Sequence, residues 1–195
     1  SYVAYQGQFL SVHEIDKDVL TDLTHFANIN QTALAYYNNA GFALSHRDAL
    51  TVKNYRFLGQ TATVQPDFYR HNVINFLLTF EAMAGTQYTQ RYRGRLSFVR
   101  NNPRALDTMP WGVSKAVGIH DILTKAHLTN LPTYGFGDAL NDVEMFQAVQ
   151  TPIAMGNGND TVKHLAAYVT ADNMHDGIRQ GLAHYDLIWR CDFEY

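Results

Sequence analysis

The fold of this chain is indicated by one short stretch, residues 134–142, which reads YGFGDALND. Its first half has the composition of a strand, and its second half is rich in turn and helix-start residues. Asp138 therefore lies at the tip of a predicted strand, and Asp142 lies at the start of a predicted helix. Carboxylates gathered at one strand tip are hard oxygen ligands, which Mg²⁺ prefers. A purely structural interpretation, with Asn141 and Glu144 forming a capping box, explains Asn141 but not Asp138.

On both sides of this stretch, predicted helices and strands alternate. The last helix is expected to turn Ile178 and Leu182 inward. Regular alternation predicts a parallel sheet with helices on its faces, and such sheets bind ligands where the strands end. The predicted strands cover residues 133–136, 152–155 and 168–170, and the predicted helices start at Ser114 and near Asn141, Asp160 and Asp176.

Two further loops carry residues suited to an anionic ligand. Lys115 follows Ser114, a good N-cap, so its positive charge lies where the helix dipole disfavours it by roughly 0.3–1 kcal/mol. A nearby carboxylate or phosphate would offset that cost, although an exposed surface lysine is the alternative. Gly156 lets the backbone approach a ligand and Asn157 can present an amide to it, but a tight turn capped by Asp160 explains the same residues.

The first half of the chain has a different pattern. Short apolar or alternating runs predict strands over residues 33–37, 41–45, 73–80 and 96–100, preceded by a helix over residues 18–28. These features predict an α+β unit with an antiparallel sheet. Residues 2–12, broken by Gln6-Gly7, predict a hairpin. If this hairpin belongs with the second half, residues 1–18 and 110–195 form an α/β core, and residues 19–109 form an inserted α+β cap.

Bulk composition excludes several classes of protein. The 195 residues include 15 basic and 18 acidic residues, a net charge of −3, which gives no basic footprint for nucleic acid. No apolar run is long enough to span a membrane, and no secretory signal pattern is present. The single cysteine, Cys191, rules out a disulfide framework within the chain and fits a cytoplasmic location. None of the nine histidines has His-x-x-x-His spacing, which disfavours a histidine metal site.

Five segments resemble, in order and spacing, the haloacid dehalogenase superfamily. They are residues 111–119, 135–145, 153–157, 167–170 and 176–178. The pattern is most similar to the Cof-type phosphatases, which have a Rossmann-like core with a large inserted cap. Residues 2–7 also resemble the strand and turn before that cap, with Gln6 where the family usually has Asn.

The resemblance implies a Mg²⁺-dependent phosphatase that cleaves small phosphorylated metabolites, such as sugar phosphates, through an aspartyl-phosphate. It implies that Lys115 steadies the transferring phosphoryl group and that Asn141 orients Lys115 or the phosphate. It also implies that Asp138 and Asp142 serve the metal. Further candidates for contacts with phosphate or substrate are Asn157, Gly156 and, in the cap, Arg100.

The nucleophile of that family is not found in this sequence. Its Asp-x-Asp-Gly-Thr turn is absent, and the only Asp-x-Asp, Asp16-Lys17-Asp18, runs into Val19-Leu20 without a preceding apolar strand. We therefore expect a cap with the C-terminal half of a core, inactive by itself. Three explanations are open: a piece of a complete phosphatase, which we favour, a natural truncated product, or a chain completed by a partner. An exposed core edge would favour a homo-oligomer.

Two other function classes are compatible with parts of the pattern. A non-catalytic module that binds Mg²⁺ or a phosphorylated metabolite needs only half of the site. A dinucleotide-binding domain would use Gly135-x-Gly137 after a strand. The second class is disfavoured because Leu140 replaces the third glycine and Asp138 would face the pyrophosphate.

Overall fold

The chain folds into two compact units, residues Ser1–Ala126 and His127–Tyr195. The computed structural model describes residues 2–82 and 86–188, and Cys191 lies outside these ranges. Within the described residues, no helix is both long and apolar enough to cross a bilayer. The division into a core of residues 1–18 and 110–195 with a cap of residues 19–109 stays a prediction.

The first unit begins with the predicted hairpin, formed by β1 (Tyr2–Tyr5) and β2 (Gln8–Val12). Gln6 and Gly7 both have positive φ angles, 49° and 81°, as a two-residue hairpin turn that matches strand twist requires. Among the described strands, β1 and β2 pair only with each other and form a two-stranded sheet of their own. The predicted hairpin is thus confirmed.

A five-stranded antiparallel sheet forms the centre of the first unit, in the order β4-β3-β5-β7-β6. The elements that build it are α1 (Lys17–Ile29), β3 (Leu34–Tyr37), β4 (Phe42–Leu44), α2 (Ala49–Phe57), α3 (Phe68–His71), β5 (Phe76–Thr79), α4 (Thr86–Arg91), β6 (Leu96–Asn102) and β7 (Ala105–Pro110). The predicted antiparallel α+β unit is therefore present. Strand β7 was not predicted.

The sheet of the first unit is covered by apolar side chains on both faces. One cluster joins α1 to the sheet through fully buried residues such as Leu23, Tyr36 and Leu77. A second cluster contains Leu44, from β4, and Tyr55, from α2. Because residues of one strand alternate between the two faces, neighbouring positions on β3 contribute to different clusters.

Helix α5 (Lys115–Lys125) closes the first unit and contacts the hairpin. Asp121 Oδ2 accepts hydrogen bonds from Ser11 Oγ at 2.5 Å and from His13 Nε2 at 3.0 Å. A Cβ at Gly118 would lie 3.7 Å from Val3 Cγ2, an ordinary van der Waals contact. Helix α5 follows Ser114 as predicted, and none of its residues is fully buried.

The second unit is a parallel sheet, as predicted, and its three strands lie in the order β10-β9-β8. Its elements are β8 (Tyr134–Gly137), a 3₁₀ turn (Leu140–Asp142), α6 (Val143–Ala148), β9 (Thr151–Ala154), α7 (Asp160–Leu165), β10 (Tyr168–Val169) and α8 (Gly177–His184). Its small core contains Phe146, Ala154 and Val162.

The predicted inner face of α8 is only partly correct, since Leu182 is half-buried but Ile178 is not buried. Ile178 is 54% exposed, whereas Gly177 and Gly181 are buried. A Cβ at Gly181 would lie 2.5 Å from a ring carbon of Phe136. The helix therefore packs through its own backbone at two glycines one turn apart, which turns the apolar side chain of Ile178 towards solvent.

Candidate active site

Three loops leave the carboxyl ends of β8, β9 and β10 and are hydrogen-bonded to each other. The Asn159 N–H donates to the Asp138 carbonyl at 2.8 Å, which joins the first loop to the second. The Gly156 N–H donates to the Ala171 carbonyl at 3.1 Å, which joins the second loop to the third. The candidate residues of this unit therefore lie along one connected edge, where parallel sheets bind ligands.

Glycines allow these loops to approach so closely. A Cβ at Gly158 would lie 2.9 Å from the Met155 carbonyl oxygen and 3.1 Å from Asp138 Cα. A Cβ at Gly156 would lie 2.8 Å from the carbonyl oxygen of Thr170. These neighbours are backbone atoms and cannot rotate away, so the glycine pattern after β9 fixes the spacing of the loops.

Asp142 is buried directly above the end of β8. Its side chain is 3% exposed, and its Oδ2 accepts the N–H groups of Asp138 at 3.0 Å and Ala139 at 3.1 Å. A Cβ at Gly137 would lie 2.7 Å from the Asp142 Cβ, so glycine at position 137 makes room for this carboxylate. Asp142 thereby holds the backbone of the loop that presents Asp138.

The alternative interpretation, a capping box of Asn141 and Glu144, is wrong. Asn141 lies inside the 3₁₀ turn, and Asp142 is the residue that precedes α6. The carboxylate of Asp142 turns back to the preceding loop instead of capping α6. The physical reason is that two loop N–H groups at a buried strand end need an acceptor, and Asp142 Oδ2 is their acceptor.

Asp138 itself is exposed at the strand tip. In the described residues, no three side chains of His, Cys, Asp or Glu come together in a way that could hold a metal ion. A Mg²⁺ ion at Asp138 would take its remaining ligands from water and a substrate phosphate, which is a common coordination for this ion. The hard oxygens of Asp138 fit such a site, and the metal roles of Asp138 and Asp142 stay predictions.

Asn157 and Gly156 lie in the loop after β9, as predicted. The Asn157 Oδ1 accepts the backbone N–H of Asn173 at 3.1 Å, so this side chain connects to the loop after β10. Asn157 remains exposed. Its amide group lies on the same edge as Asp138, and contact with a phosphate group stays a prediction.

The sequence analysis missed a polar pair in the loop after β10. Asp172 Oδ1 lies 2.6 Å from His175 Nδ1 and accepts the Met174 N–H at 2.9 Å. The hydrogen bond with His175, assisted by the Met174 N–H, holds the pKa of Asp172 below its ordinary value. The available signal was an Asp followed three residues later by a His, before a glycine that starts a helix.

Lys115 and Arg100 belong to the first unit. Lys115 is the first residue of α5 and is exposed, and Ser114 caps the helix by accepting the Val117 N–H at 3.4 Å, as predicted. Arg100 Nη1 donates to the Glu81 carbonyl at 2.5 Å and to the Asn102 carbonyl at 3.4 Å. Arg100 therefore supports the backbone of its own unit, and its contact with substrate stays a prediction.

Comparison with known proteins identifies the family. A family model described as haloacid dehalogenase-like hydrolase matches residues 1–182. The 5-amino-6-(5-phospho-D-ribitylamino)uracil phosphatase YcsE of Bacillus subtilis is 30% identical over 97 residues, which are 50% of this chain and 39% of that enzyme. The chain spans only 39–47% of the length of this enzyme and of two putative phosphatases from Mycoplasma genitalium and Mycoplasma pneumoniae.

Solved structures share the fold over nearly the whole chain. A hypothetical protein of Geobacillus kaustophilus is 31% identical, with a TM-score of 0.81, over 96% of this chain and 74% of that one. The subclass IIB sugar phosphatase BT4131 is 21% identical, with a TM-score of 0.82, over 96% of this chain and 73% of that one. These structures confirm the predicted mixed α/β fold with a cap domain. The chain belongs to the haloacid dehalogenase-like hydrolases, in the Cof-type group that its motifs predicted.

Proposed function

We propose that this protein serves in the Mg²⁺-dependent hydrolysis of small phosphate monoesters. The observation that carries the proposal is the position of Asp138, an exposed carboxylate at the carboxyl end of β8 on a loop held by Asp142. An exposed carboxylate on a fixed backbone can hold a metal ion without reorganising, which favours electrostatic catalysis. Asp138 would be the metal ligand, and Asp142 would be a positioning residue.

The other residues of the site have roles that suit phosphoryl transfer. A bound Mg²⁺ ion would offset negative charge on the phosphoryl oxygens. Lys115 would add a positive charge to the same group, and the amide of Asn157 would donate a hydrogen bond to it. Asn141, one residue before Asp142, would orient Lys115 or the phosphate. These assignments combine two units, and they rest on the family pattern.

The proposed substrates are sugar phosphates and similar metabolites. The Bacillus subtilis relative is named for a ribityl phosphate substrate, and the similar solved structure is a sugar phosphatase. Both compounds are phosphate monoesters of polyhydroxylated carbon chains. We extend this class, and no individual compound, to the present protein.

We further propose that the nucleophilic aspartate is supplied from outside these 195 residues. The family reaction needs an aspartate in an Asp-x-Asp-Gly-Thr turn, and this sequence has no such turn. The 195-residue chain by itself would then bind Mg²⁺ weakly, through Asp138, without turning over substrate.

The metal role is tested first by calorimetric titration of the 195-residue chain with Mg²⁺. We expect Asp138→Asn to abolish binding, because it removes the charge of the only exposed carboxylate proposed as a ligand. Asp160→Asn is the matched control, since Asp160 is exposed in the same unit at the start of α7. Mg²⁺ affinity that is the same in Asp138→Asn and the unchanged chain would remove Asp138 from the metal site.

The catalytic part is tested with an aryl phosphate, with and without EDTA. We expect no hydrolysis by the 195-residue chain, and EDTA-sensitive hydrolysis when an upstream segment with the Asp-x-Asp-Gly-Thr turn is supplied. In that completed protein, Lys115→Ala should lower kcat by about 10²-fold or more. EDTA-sensitive hydrolysis by the 195-residue chain alone would instead identify a nucleophile within it, such as Asp16 or Asp18.

A further inference from the structure

A cavity of about 230 Å³ lies in the first unit, between α2 and the segment that follows it. Buried residues Leu44, Tyr55 and Ala62 give it an apolar floor. Its rim is polar and carries two guanidinium groups, those of Arg47 and Arg56. The full lining consists of Leu44, Arg47, Thr51, Val52, Tyr55, Arg56, Gln60, Thr61 and Ala62.

The walls of this cavity are fixed by hydrogen bonds. The Leu44 N–H donates to the Thr63 carbonyl at 2.8 Å, and the Gln65 N–H donates to the Leu44 carbonyl at 2.9 Å. At the other end, the Gln60 N–H donates to the Tyr55 carbonyl at 2.9 Å. The segment after α2 is therefore held against both β4 and α2, so the cavity is already formed without a ligand.

Positive charge dominates the mouth of the cavity. A shallow groove on the outer side of α2 continues from it and adds Lys53 to the two arginines. The one carboxylate lining this groove, Asp48, accepts the Thr51 N–H at 2.7 Å and caps α2. Within residues 2–82 and 86–188, neither Lys53 nor Arg56 forms an ion pair.

Arg47 and Arg56 differ in how they are held. Arg47 Nη2 donates to the Ala62 carbonyl at 2.9 Å, which fixes its guanidinium at the rim. Arg56 is exposed and makes no such bond in the described structure. Val52, which is 55% exposed, is an apolar side chain that lines the cavity together with these two cations. A fixed guanidinium, a free one and an apolar wall together match a molecule with one anionic end and one apolar end.

We propose that this cavity is a binding site for a small organic anion, a body of about one ring that carries a phosphate or carboxylate group. The apolar body would lie over Leu44 and Ala62, and the anionic group would accept hydrogen bonds from Arg47 and Arg56. The volume of about 230 Å³ is below the range of drug-sized pockets, which limits the ligand to a small molecule. This site shares no residue with the candidate active site and does not depend on the proposed phosphatase activity.

The test is an amide NMR titration of the 195-residue chain in EDTA with phenyl phosphate, benzoate and inorganic phosphate. We expect saturable shifts at Val52, Thr61 and Ala62 with phenyl phosphate and benzoate, and weaker binding of inorganic phosphate, which has no apolar body. Arg56→Gln should weaken both organic ligands about tenfold, since it removes a charge-assisted hydrogen bond. Arg56 is chosen over Arg47 for this test because its side chain makes no hydrogen bond or ion pair within the described structure.

Two control variants keep the result interpretable. Arg93→Gln removes an exposed positive charge from the same unit at a position outside the cavity, and it should leave the affinity unchanged. Asp138→Asn should also leave it unchanged, which separates this site from the proposed metal site. The proposal is overturned if no saturable shifts occur at the cavity, if Arg93→Gln weakens binding as much as Arg56→Gln, or if inorganic phosphate binds as tightly as phenyl phosphate.

Discussion

In the first unit, a five-stranded sheet lies between two layers of large buried side chains, whereas in the second unit a three-stranded sheet meets its neighbours at glycines. The first unit buries residues such as Leu23, Tyr36 and Tyr88 completely. In the second unit, Gly177 and Gly181 are the buried residues of α8, and no side chain of that helix is fully buried. The second unit has a small side-chain core at Phe146 and Val162, but its last helix packs at glycines, unlike α1 of the first unit.

Because of this difference, we expect substitutions in the first unit to change mainly stability, and substitutions at the glycines of the second unit to change the geometry of the site as well. Side-chain packing is spread over many atoms, so the loss of one side chain weakens a core in proportion to the volume removed. A contact between a glycine and another backbone segment is not spread over many atoms in this way. Any added carbon must displace the main chain itself. In the second unit those contacts lie beside the loops of the candidate site, so their disturbance should change the site as well as the stability.

The largest effect is expected from a truncation in the first unit. Leu23→Ala removes a completely buried side chain from α1 and should lower the free energy of unfolding by about 2–5 kcal/mol. Chemical denaturation followed by circular dichroism measures this change. Ile29→Ala is the matched control at the end of the same helix, where the side chain is 66% exposed, and it should change stability by less than about 0.5 kcal/mol. Equal losses in the two variants would contradict a core centred on the inner face of α1.

A smaller loss, but a local one, is expected from Gly177→Ala in the second unit. The added Cβ would collide with the Ala171 carbonyl oxygen, which belongs to the loop after β10. Overpacking of this kind costs about 1–3 kcal/mol, and here it must move the loop that carries Asp172. Amide NMR shifts should therefore change at Ala171, Asp172 and Asn173, together with a loss of stability.

Substitutions at two further glycines provide a comparison for the stability loss expected of Gly177→Ala. Gly181→Ala places its Cβ against the ring of Phe136, a side chain that can move, so its cost should be lower than that of Gly177→Ala. Gly41→Ala meets no atom within 4 Å and should be neutral. If Gly41→Ala and Gly177→Ala are equally tolerated, close backbone contact does not shape the second unit.

The order of elements in the second half could be predicted because each loop joins an apolar strand to a helix with clear start signals. The position of Asp138 followed directly from that order. The role of Asp142 could not be predicted. Its carboxylate accepts two backbone N–H groups that come together only when the loop folds. The sequence also allowed a local capping box at Asn141, which the folded loop does not form.

Three other features escaped prediction for physical reasons. Strand β7 contains Asp107 and Thr108, polar residues that are buried here, and Thr108 shares a hydrogen bond with Thr79 across the sheet at 2.8 Å. Apolar patterns cannot reveal a strand whose interior residues are polar. Burial was wrongly assigned to Ile178 of α8 because the buried residues of that helix are glycines, which carry no side chain to signal burial. Asp172 and His175 lie in an irregular loop, where no periodicity applies.

The smallest predicted effect concerns this last pair. The hydrogen bond from His175, the largest cause, and the Met174 N–H lower the pKa of Asp172 from its ordinary value of 3.8. A carboxyl group whose pKa is lowered on folding stabilises the protein above its ordinary pKa, and that stabilisation is lost as the pH falls through the lowered value. The contribution of the Asp172 carboxylate should therefore be lost only when the pH falls below about 4. Because the pair is exposed, solvent screening keeps the effect small.

His175→Ala should return the pKa of Asp172 towards its ordinary value, as measured by NMR titration of the side-chain carboxyl carbon. His164→Ala is the control, since His164 is exposed in the same unit and contacts the backbone carbonyl of Asp160 instead of a carboxylate. It should leave the pKa of Asp172 unchanged. An unchanged pKa in His175→Ala would show that backbone N–H groups alone hold this carboxylate. The loop after β10 would then resemble the loop after β8, where Asp142 Oδ2 accepts two backbone N–H groups, and both loops would be fixed by the main chain.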